Sequence, residues 1–552
     1  MIPAPLALRV KKLTALADWR LLLFLILFLN VKLVVTNPAL LLIFILNPNF
    51  NFGFSFKNSR LPLFYPIVIL IVIVNWLLSF GHPAGYTPVA LSGLCFWLLC
   101  LLCAHQLKYI VESRSTDIIH KTLLVFFILN TLVSFLNIAA IIWEIKSLNP
   151  YLYQGQYQKY FINTGDFIRG ISFDTSTTNA LISAFGVLYF IAKKNILMVC
   201  ACMCTLLLTG SNFININLLL ILAAWFVLKS DKIQKSAIIA CVGLLALFMV
   251  KVSPHNNKYV VDMSAYIFLH KQQQGYVPPV LQVPVTKLPD SLLSPAQRRQ
   301  KIAQLFIDSV NTVRLQSKQA VVHAPLVLKA NIQSHAAAQK LDLPKPDINT
   351  PPYQTRTFTD DEQKRLIGFI GLHKNSLPLS GSNNYHESFL PGKVISTLQT
   401  FSFFKQHPLK MITGTGAGNF SSKLAYRVSG LGFAGGFPAK LFYINPDFLQ
   451  NHLDVYLNFF SKRPGMHSLT NSPNATYDQL LAEYGIVGLM AFFAGYIWFF
   501  ARHYRALTYG LPILLLMLSA FFIDYWFEQL SVVVLFELML FLNIKEKLKV
   551  PI

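Results

Sequence analysis

The residues whose types could do chemistry are concentrated in one stretch, MHSLTNSPNATYDQLLAEYGIVGL, from Met466 to Leu489. It begins with polar and turn-forming residues and becomes an apolar helix. His467 is of the residue type whose ordinary pKa of about 6.5 suits a general base near neutral pH. The other polar candidates in the stretch are Asn474, Tyr477, Asp478 and Glu483. Such a group at the start of a long apolar run predicts a polar site at the rim of a membrane span.

Each of these side chains also has a structural interpretation. A histidine in a loop commonly has no chemical role, and the chain contains 13 of them. Asn474 is equally suited to capping a helix, because Ser472 and Pro473 favour a helix start just before it. In that helix Asn474 and Asp478 would share one face. For Glu483 the pattern favours a carboxylate that bonds the loop over an acid catalyst.

The composition is that of a membrane protein. Of the 552 residues, 54% are hydrophobic and 13% are charged, about half the charged fraction of a soluble domain. Apolar runs of about 16 to 25 residues recur before Lys251 and after Gly485, and about 20 residues of helix cross a bilayer. The predicted class is therefore an all-α polytopic membrane protein. We expect the lipid bilayer, and no nucleic acid, as its surroundings.

The apolar runs predict about twelve transmembrane helices. They lie at roughly residues 21–35, 38–48, 62–80, 88–105, 122–143, 177–192, 195–209, 213–229, 235–252, 485–501, 508–523 and 527–544. Lys and Arg collect in alternate short connections and are missing from 81–87, 210–212 and 524–526. This alternation predicts that both termini are cytoplasmic.

Three regions follow from this count. Residues 1–252 form an N-terminal bundle of about nine helices, 253–484 form one large extracytoplasmic loop between spans nine and ten, and 485–552 form the last three or so helices. Between Ser253 and Asn474 the loop holds about 23 Lys and Arg against about 11 Asp and Glu. This excess favours an anionic partner, although a merely solvated basic loop is the alternative. Within the loop, 253–391 is a variable insert and 392–484 is the helical, site-forming part.

The site-forming part opens with GKVISTLQTFSFFKQHPLKMITGTGAGNF, residues 392–420. Its first half predicts a helix that ends before Pro408. The apolar residues on one side of that helix are Val394, Ile395, Leu398 and Phe401. The glycine-rich part, 414–418, predicts a tight turn whose backbone can approach another group closely. A nucleotide-binding loop would need a preceding strand and a following helix, which are not evident.

Four segments in this order resemble the O-antigen ligase and O-antigen polymerase superfamily of membrane glycosyltransferases. They are FIRGISFDTSTTNA, LLLTGSNF, the glycine-rich segment above, and SPNATYDQLLAEYGIVGL. The resemblance covers roughly residues 160–230 and 390–500. It implies a GT-C-like helical bundle that transfers a glycan from an undecaprenyl-diphosphate carrier without metal or cofactor.

The resemblance also implies roles for particular residues. In the family, outer-face arginines hold the diphosphate and a histidine activates the acceptor hydroxyl. Arg169 matches one such arginine, Lys393 stands at the place of a second, and Asn212 follows Ser211 where the family has an arginine. Lysine supplies charge but not the forked guanidinium that grips phosphate.

The histidine and the polar helix complete the implied site. Family members carry His-Asn nine residues before the Glu of AEYG, and Asn474, which cannot act as a base, occupies that place here. His467, seven residues upstream, is therefore the candidate base, with Asn474 beside it. Tyr477, Asp478 and Glu483 are the candidate contacts to diphosphate or glycan.

The function implied is transfer or polymerisation of a lipid-linked glycan on the outer face of a bacterial inner membrane. The acceptor, a growing glycan, a lipid A-core type molecule or a protein hydroxyl, is left open. The alternative is a transporter or flippase for the lipid-linked glycan. Transporters tend to contain inverted repeats with polar helices at the midplane. The two halves of this chain do not resemble each other, and its polar residues lie in the outer loops.

Overall fold

A computed structural model describes residues 17–29, 38–42, 51–78, 85–152, 164–228, 230–254, 390–429, 437–438, 441–460 and 472–548, together with residues 286, 301, 304 and 305. Every regular element in these ranges is helical, which confirms the predicted all-α class for the described part of the chain. Nearly all of the insert 253–391, and His467, lie outside the described residues.

The helices of the N-terminal region follow the apolar runs. They are α1 (Trp19–Leu27), α2 (Phe64–Leu78), α3 (Tyr86–Ser113), α4 (Thr116–Ile145), α5 (Ser176–Ala192), α6 (Ile196–Leu208), α7 (Asn212–Leu228) and α8 (Lys232–Leu247). A π-helical turn, Phe248–Val252, continues α8. Short 3-10 turns at Pro150–Leu152, Thr164–Phe167 and Gly170–Ser172 lie between α4 and α5.

The remaining helices begin at Gly392. They are α9 (Gly392–Gln406), α10 (Lys410–Thr413), α11 (Lys423–Val428), α12 (Pro446–Asn451), α13 (Leu453–Phe460), α14 (Thr476–Ala491), α15 (Trp498–Ala501), α16 (Gly510–Ala520), α17 (Trp526–Gln529) and α18 (Ser531–Leu548). A π-helical segment, Phe492–Ile497, joins α14 to α15. The helix predicted from residue 392 and its end before Pro408 are confirmed by α9.

Four helical stretches among the described residues are long and apolar enough to cross a membrane. They are Tyr86–Ser113, Thr116–Ile145, Lys232–Val252 and Thr476–Ala501. Five shorter apolar helices, α2, α5, α6, α7 and α16, accompany them. These helices indicate a membrane-embedded protein. The count of about twelve spans and the side on which each loop lies stay predictions.

Aromatic packing holds the central helices together. Phe64 on α2 lies with its ring centroid 5.3–5.7 Å from those of Trp97, Phe492, Tyr496 and Phe527, and all five are buried. Edge-to-face contacts of this kind add to the free energy gained from burying apolar area. This cluster therefore fixes α2, α3, the α14–α15 unit and α17 against one another.

The two ends of the bundle differ in character. At one end Arg60 forms a salt bridge of 2.8 Å with Glu112, and Lys545 Nζ donates to the carbonyls of Val111 and Arg114 at 2.5 Å each. The other end carries the turn 164–175, the segments 390–429 and 441–460, and residues 472–475. We call this second end the loop end, and every candidate residue discussed below belongs to it or to the helices beneath it.

Candidate functional site

Asparagines on α4 hold the turn that carries Arg169. Asn137 Oδ1 accepts hydrogen bonds from the backbone N–H groups of Arg169 and Gly170, both at 3.1 Å. Asn130 Oδ1 accepts one from the N–H of Ile171 at 3.1 Å. Because the two asparagines are seven residues apart, they lie on the same face of α4, two turns from each other. The turn is thus fixed through its backbone.

A third asparagine, Asn179 on α5, completes this support. It accepts from Asn130 Nδ2 at 2.8 Å and donates to the carbonyl of Ile168 at 2.9 Å. Gly170 has φ +59°, and a Cβ there would lie 2.4 Å from Asn130 Oδ1. The Arg169 side chain points outward and is exposed, with one long bond of 3.4 Å from Nε to the carbonyl of Asp166. The turn therefore presents a guanidinium from a rigid backbone.

Charged groups from three separated segments act electrostatically on Asp174, in this turn. Burial raises the pKa of Asp174, while the charge of Lys423 and, more weakly, that of Arg169 lower it, and the charge of Asp524 raises it. The same carboxyl accepts a hydrogen bond from Thr178 Oγ1 at 3.1 Å. Asp174 thus lies within electrostatic reach of residues more than 240 positions away in sequence.

A glutamine bridges two of these groups. The Gln529 amide, oriented to satisfy both neighbours, accepts from Lys423 Nζ at 3.1 Å and donates to Asp524 Oδ2 at 3.2 Å. One turn further along α11, Arg427 interacts electrostatically with the Glu528 carboxyl group, as Lys423 does. The buried Arg427 Nε has no hydrogen-bond partner within the described residues. We call Arg169, Lys423 and Arg427 the cation cluster.

Lys423 and Arg427 were missed by the sequence reasoning. The signal that could have found them is their spacing of four on SSKLAYRV, directly after the glycine-rich turn, which puts both charges on one helix face. The carboxyl groups that surround the cluster, Asp174, Asp524 and Glu528, carry no such local signal. They are assembled by the fold.

Lys393 is buried and makes no hydrogen bond with the cation cluster, although Asp524 is an electrostatic neighbour of both. Its Nζ donates to the carbonyls of Asn474 at 2.5 Å and Ile523 at 3.2 Å. Burial lowers the pKa of Lys393 to about 7, although Asp524 and Asp478 act to raise it. In this placement the ammonium joins α9 to the segments before α14 and α17, and its donors point at the protein backbone.

Asn474 and Asn212 both lie at the loop end. The buried Asn474 Oδ1 has no hydrogen-bond partner within the ranges that the structure describes. Asn212 is the first residue of α7 and is half-buried. The preceding turn packs closely on the Arg169 segment, since a Cβ at Gly165 would lie 2.3 Å from the carbonyl oxygen of Thr209. Asn212 therefore belongs to the surroundings of the Arg169 turn.

The predicted helix start at Ser472 and Pro473 is wrong. Residues 472–475 precede the helix, and α14 begins at Thr476, whose N–H donates to the carbonyl of Phe521 at 2.8 Å. The N-cap residue is Ala475, without a side-chain cap. Contacts to Lys393 and to the chain near Phe521 hold this segment out of the helix, so Asn474 does not share a helix face with Asp478.

Asp478 is the centre of a buried polar network. It accepts from Ser396 Oγ at 2.6 Å and from Thr400 Oγ1 at 2.8 Å, both on α9. His452 Nε2 lies 3.4 Å from the same Ser396 hydroxyl. The hydroxyl is wholly buried, so this Ser-His-Asp grouping joins α9, the α12–α13 junction and α14 and is inaccessible to a substrate. Tyr477 points elsewhere, with its hydroxyl donating to the carbonyl of Leu518 at 2.7 Å.

His452 gives the network a pH dependence. Burial lowers the pKa of His452 to about 4, against a smaller opposing effect of Asp454. Between pH 6.5 and pH 4 the imidazole of His452 binds a proton in the unfolded chain but not in the folded chain. The free energy of unfolding therefore falls as the pH falls through that window, by up to about 3 kcal/mol.

We expect His452→Gln to lose less thermal stability than the wild-type protein between pH 6.5 and pH 4.5, measured in detergent. Equal losses would contradict the assignment, since all other titrating groups are shared.

Glu483 binds the glycine-rich turn. Its wholly buried carboxylate accepts from the backbone N–H groups of Gly418 at 2.8 Å, Phe420 at 3.1 Å and Ser422 at 3.0 Å. Because both carboxylate oxygens already accept hydrogen bonds from the backbone, Glu483 is occupied by contacts within the protein. They are the contacts expected of a structural carboxylate. Because α11 begins at Lys423, directly after Ser422, they also place α11 beside α14.

The same turn supplies hydrogen-bond donors to backbone carbonyls at a break in α14. Gly485 has φ +67° inside the helix. The carbonyls of Ala482 and Glu483 accept instead from the N–H groups of Thr415 and Gly416, both at 3.0 Å. The turn predicted to approach another group closely therefore approaches α14, because a Cβ on Gly414 would lie 2.3 Å from the backbone of Glu483.

Gly485→Ala is expected to disrupt this junction. A Cβ at Gly485 would lie 2.2 Å from the carbonyl oxygen of Ile412, and the positive φ is unfavourable for alanine as well. We expect a markedly lower unfolding temperature in detergent. Gly243→Ala, where no atom lies within 4 Å of the added carbon, is the matched control. Equal unfolding temperatures for the two variants would contradict the close packing.

The described residues contain no group of three or more His, Cys, Asp or Glu side chains arranged to hold a metal ion. Fold and site together define a membrane-embedded, all-helical protein with a mixed cluster of cations and carboxyl groups at its loop end. Comparison of the chain with protein-family models, curated proteins and solved structures found no match.

Proposed function

We propose that the chain is a membrane glycosyltransferase of the O-antigen ligase and polymerase type. It transfers or polymerises a glycan carried on undecaprenyl diphosphate, on the outer face of a bacterial inner membrane. The observation that carries the proposal is that Arg169, whose backbone is held by an asparagine of α4, and Lys423, from a distant segment, both act electrostatically on Asp174 at the loop end.

This arrangement suits a lipid diphosphate. The lipid tail would lie among the apolar helices, and its phosphates would reach the loop end. Arg169 is exposed and held through its backbone, so its guanidinium is available for a two-pronged contact with phosphate. The hydrogen bond to Gln529 positions Lys423, and the charge of Glu528 attracts both Lys423 and Arg427. Preorganised cations of this kind stabilise the charge that develops on a diphosphate leaving group.

A base must accept the proton of the acceptor hydroxyl. His467 is the candidate from the sequence, and it lies eight residues before Ala475, where the chain enters α14. Asn474, half-buried in the segment between His467 and α14, is the candidate polar contact beside the base. Four buried or half-buried side chains support the site by holding its helices and the glycine-rich turn in place. They are Lys393, Tyr477, Asp478 and Glu483.

The test is consumption of the donor. Purified protein in lipid nanodiscs is given an undecaprenyl-diphosphate-linked glycan and an acceptor glycan, with and without EDTA, and free undecaprenyl diphosphate is measured. We expect release of undecaprenyl diphosphate in both conditions and none with His467→Ala. The same donor is also given to proteoliposomes, in which its movement between the leaflets can be followed. Intact donor in the nanodiscs, together with such movement in the proteoliposomes, would overturn the proposal in favour of a flippase.

A further inference from the structure

Helix α9 is turned with its polar side inward. Lys393, Ser396, Gln399 and Thr400 are all buried, against partners that include Asp478 and Asp454. Of the apolar side predicted from the sequence, Phe401 is exposed, and Val394 and Leu398 are half-buried. Only Ile395 of that side is buried. The polar groups of α9 are thus satisfied inside the protein, where Phe403 and Phe404 are also buried, while Phe401 is left on the exposed surface.

Large apolar side chains are exposed on the outward side of α9, just before it and in the stretch that enters α10. Phe401 is 56% exposed, and Leu390, at the foot of the same helix, is 40% exposed. Directly after α9, Leu409 is 82%, Ile412 51% and Met411 38% exposed. Soluble protein surfaces seldom carry so many large apolar groups together. We call these five residues the apolar ridge.

The ridge adjoins faces that point toward lipid. The carbonyl of Thr413, the last residue of α10, accepts from Asn75 Nδ2 on α2 at 2.8 Å. At the end of α2, two and three residues after Asn75, Leu77 and Leu78 are 46% and 75% exposed. Helix α10 also adjoins α12, through the ion pair of Lys410 with Asp447, and the break of α14 at Gly485. Beyond that break α14 exposes apolar side chains, among them Met490 at 64%.

The position along α14 gives the depth. Gly485 lies 16 residues before the last residue of the apolar stretch Thr476–Ala501, which is about 24 Å of helix. The hydrocarbon core is about 30 Å thick. Ile412, whose carbonyl touches Gly485, is therefore near the level at which α14 leaves the hydrocarbon.

We propose that the apolar ridge lies in the interfacial region of the same bilayer, on the leaflet at the loop end. Helices that lie in this region bury an apolar side and keep basic side chains at the headgroup level. Lys405 follows Phe401 by four residues on the same side and is exposed, as this arrangement requires. The occupant of the surface is lipid, and the inference does not depend on the proposed enzymatic activity.

The ridge would give the site-forming segment a second attachment to the membrane. Its first attachment is the contact of the glycine-rich turn with α14. With both in place, the polar side of α9 and the network around Asp478 are held above the same leaflet from which a lipid-linked substrate would arrive.

The test compares the depth in the bilayer of one position on the apolar ridge, Leu409, with that of a nearby position off the ridge, Gln406. Leu409→Cys and Gln406→Cys are made separately in a cysteine-free background and carry nitroxide labels, with one protein molecule per nanodisc. Gln406 is exposed, and it lies about 140° around α9 from Phe401. Collision rates with oxygen, which concentrates in lipid, and with a water-soluble nickel chelate are measured by electron paramagnetic resonance.

We expect the ratio of oxygen to nickel collisions to be severalfold higher at Leu409 than at Gln406. Equal ratios typical of water at both positions would overturn the proposal. Low collision rates with both reagents at Leu409 would also overturn it, since another part of the chain would then cover the ridge.

Discussion

Glu483→Ala is expected to lower the unfolding temperature of the protein more than any other single substitution at the loop end. The carboxylate accepts three buried backbone N–H groups. Each would be left without its acceptor at about 1–3 kcal/mol, so the combined loss exceeds about 3 kcal/mol. The chain from Gly418 to Ser422 would lose its side-chain attachment to α14, while the backbone bonds of Thr415 and Gly416 to that helix remain. Thermal unfolding of the purified variant in detergent measures this loss.

Glu483→Gln is the informative companion of that variant. It keeps an acceptor oxygen but replaces the second oxygen with an amide, which has no lone pair for the N–H it faces. An intermediate loss is therefore expected. Glu112→Gln, on an exposed salt bridge with Arg60 at the opposite end of the bundle, should change the unfolding temperature little. A Glu483→Ala variant as stable as the wild-type protein would show that the turn is held by other contacts.

Arg169→Ala is expected to reduce glycan transfer by about 10²–10³-fold, the usual effect of removing one preorganised group that stabilises developing charge. Its exposed side chain makes one long hydrogen bond, to the carbonyl of Asp166, and lies 6.0 Å from the ring centroid of Phe167, so stability and membrane insertion should change little. Release of undecaprenyl diphosphate measures the activity, and thermal unfolding in detergent checks the fold.

Two further variants make this prediction specific. Arg169→Lys keeps the charge without the forked donor geometry and should retain only part of the activity. Lys251→Ala removes another exposed cation, at the end of the π-helical turn after α8, and should be active. Normal activity in Arg169→Ala would contradict a diphosphate contact at this position.

Local sequence predicted the helices well and their starts less well. The apolar runs anticipated α2 to α8 because the need to bond every backbone group in lipid leaves few alternatives. The start of α14 was placed three residues early, since the capping pattern at Ser472 and Pro473 is overridden by bonds from Lys393 and to Phe521. At the first turn of α14, tertiary contacts therefore outweigh the capping residues.

The site was predicted only where one segment carries its own signal. Arg169 could be singled out from its motif, but the asparagines that hold its turn come from α4 and α5. Lys423 reaches Asp174 only through the fold. His452 had no distinguishing neighbours in sequence, and its burial follows from the packing of α9 on α12 and α13. Groups that meet across long sequence separations leave no pattern in any single window.

Binding of undecaprenyl diphosphate itself tests most directly whether two distant cations act on one carrier. The dissociation constant is measured in nanodiscs for the wild-type protein, Arg169→Gln, Lys423→Gln and the double variant. We expect each single variant to weaken binding, and the double variant to weaken it by less than the product of the two single effects, because both side chains contact the same diphosphate. Unchanged dissociation constants in all three variants would contradict the account.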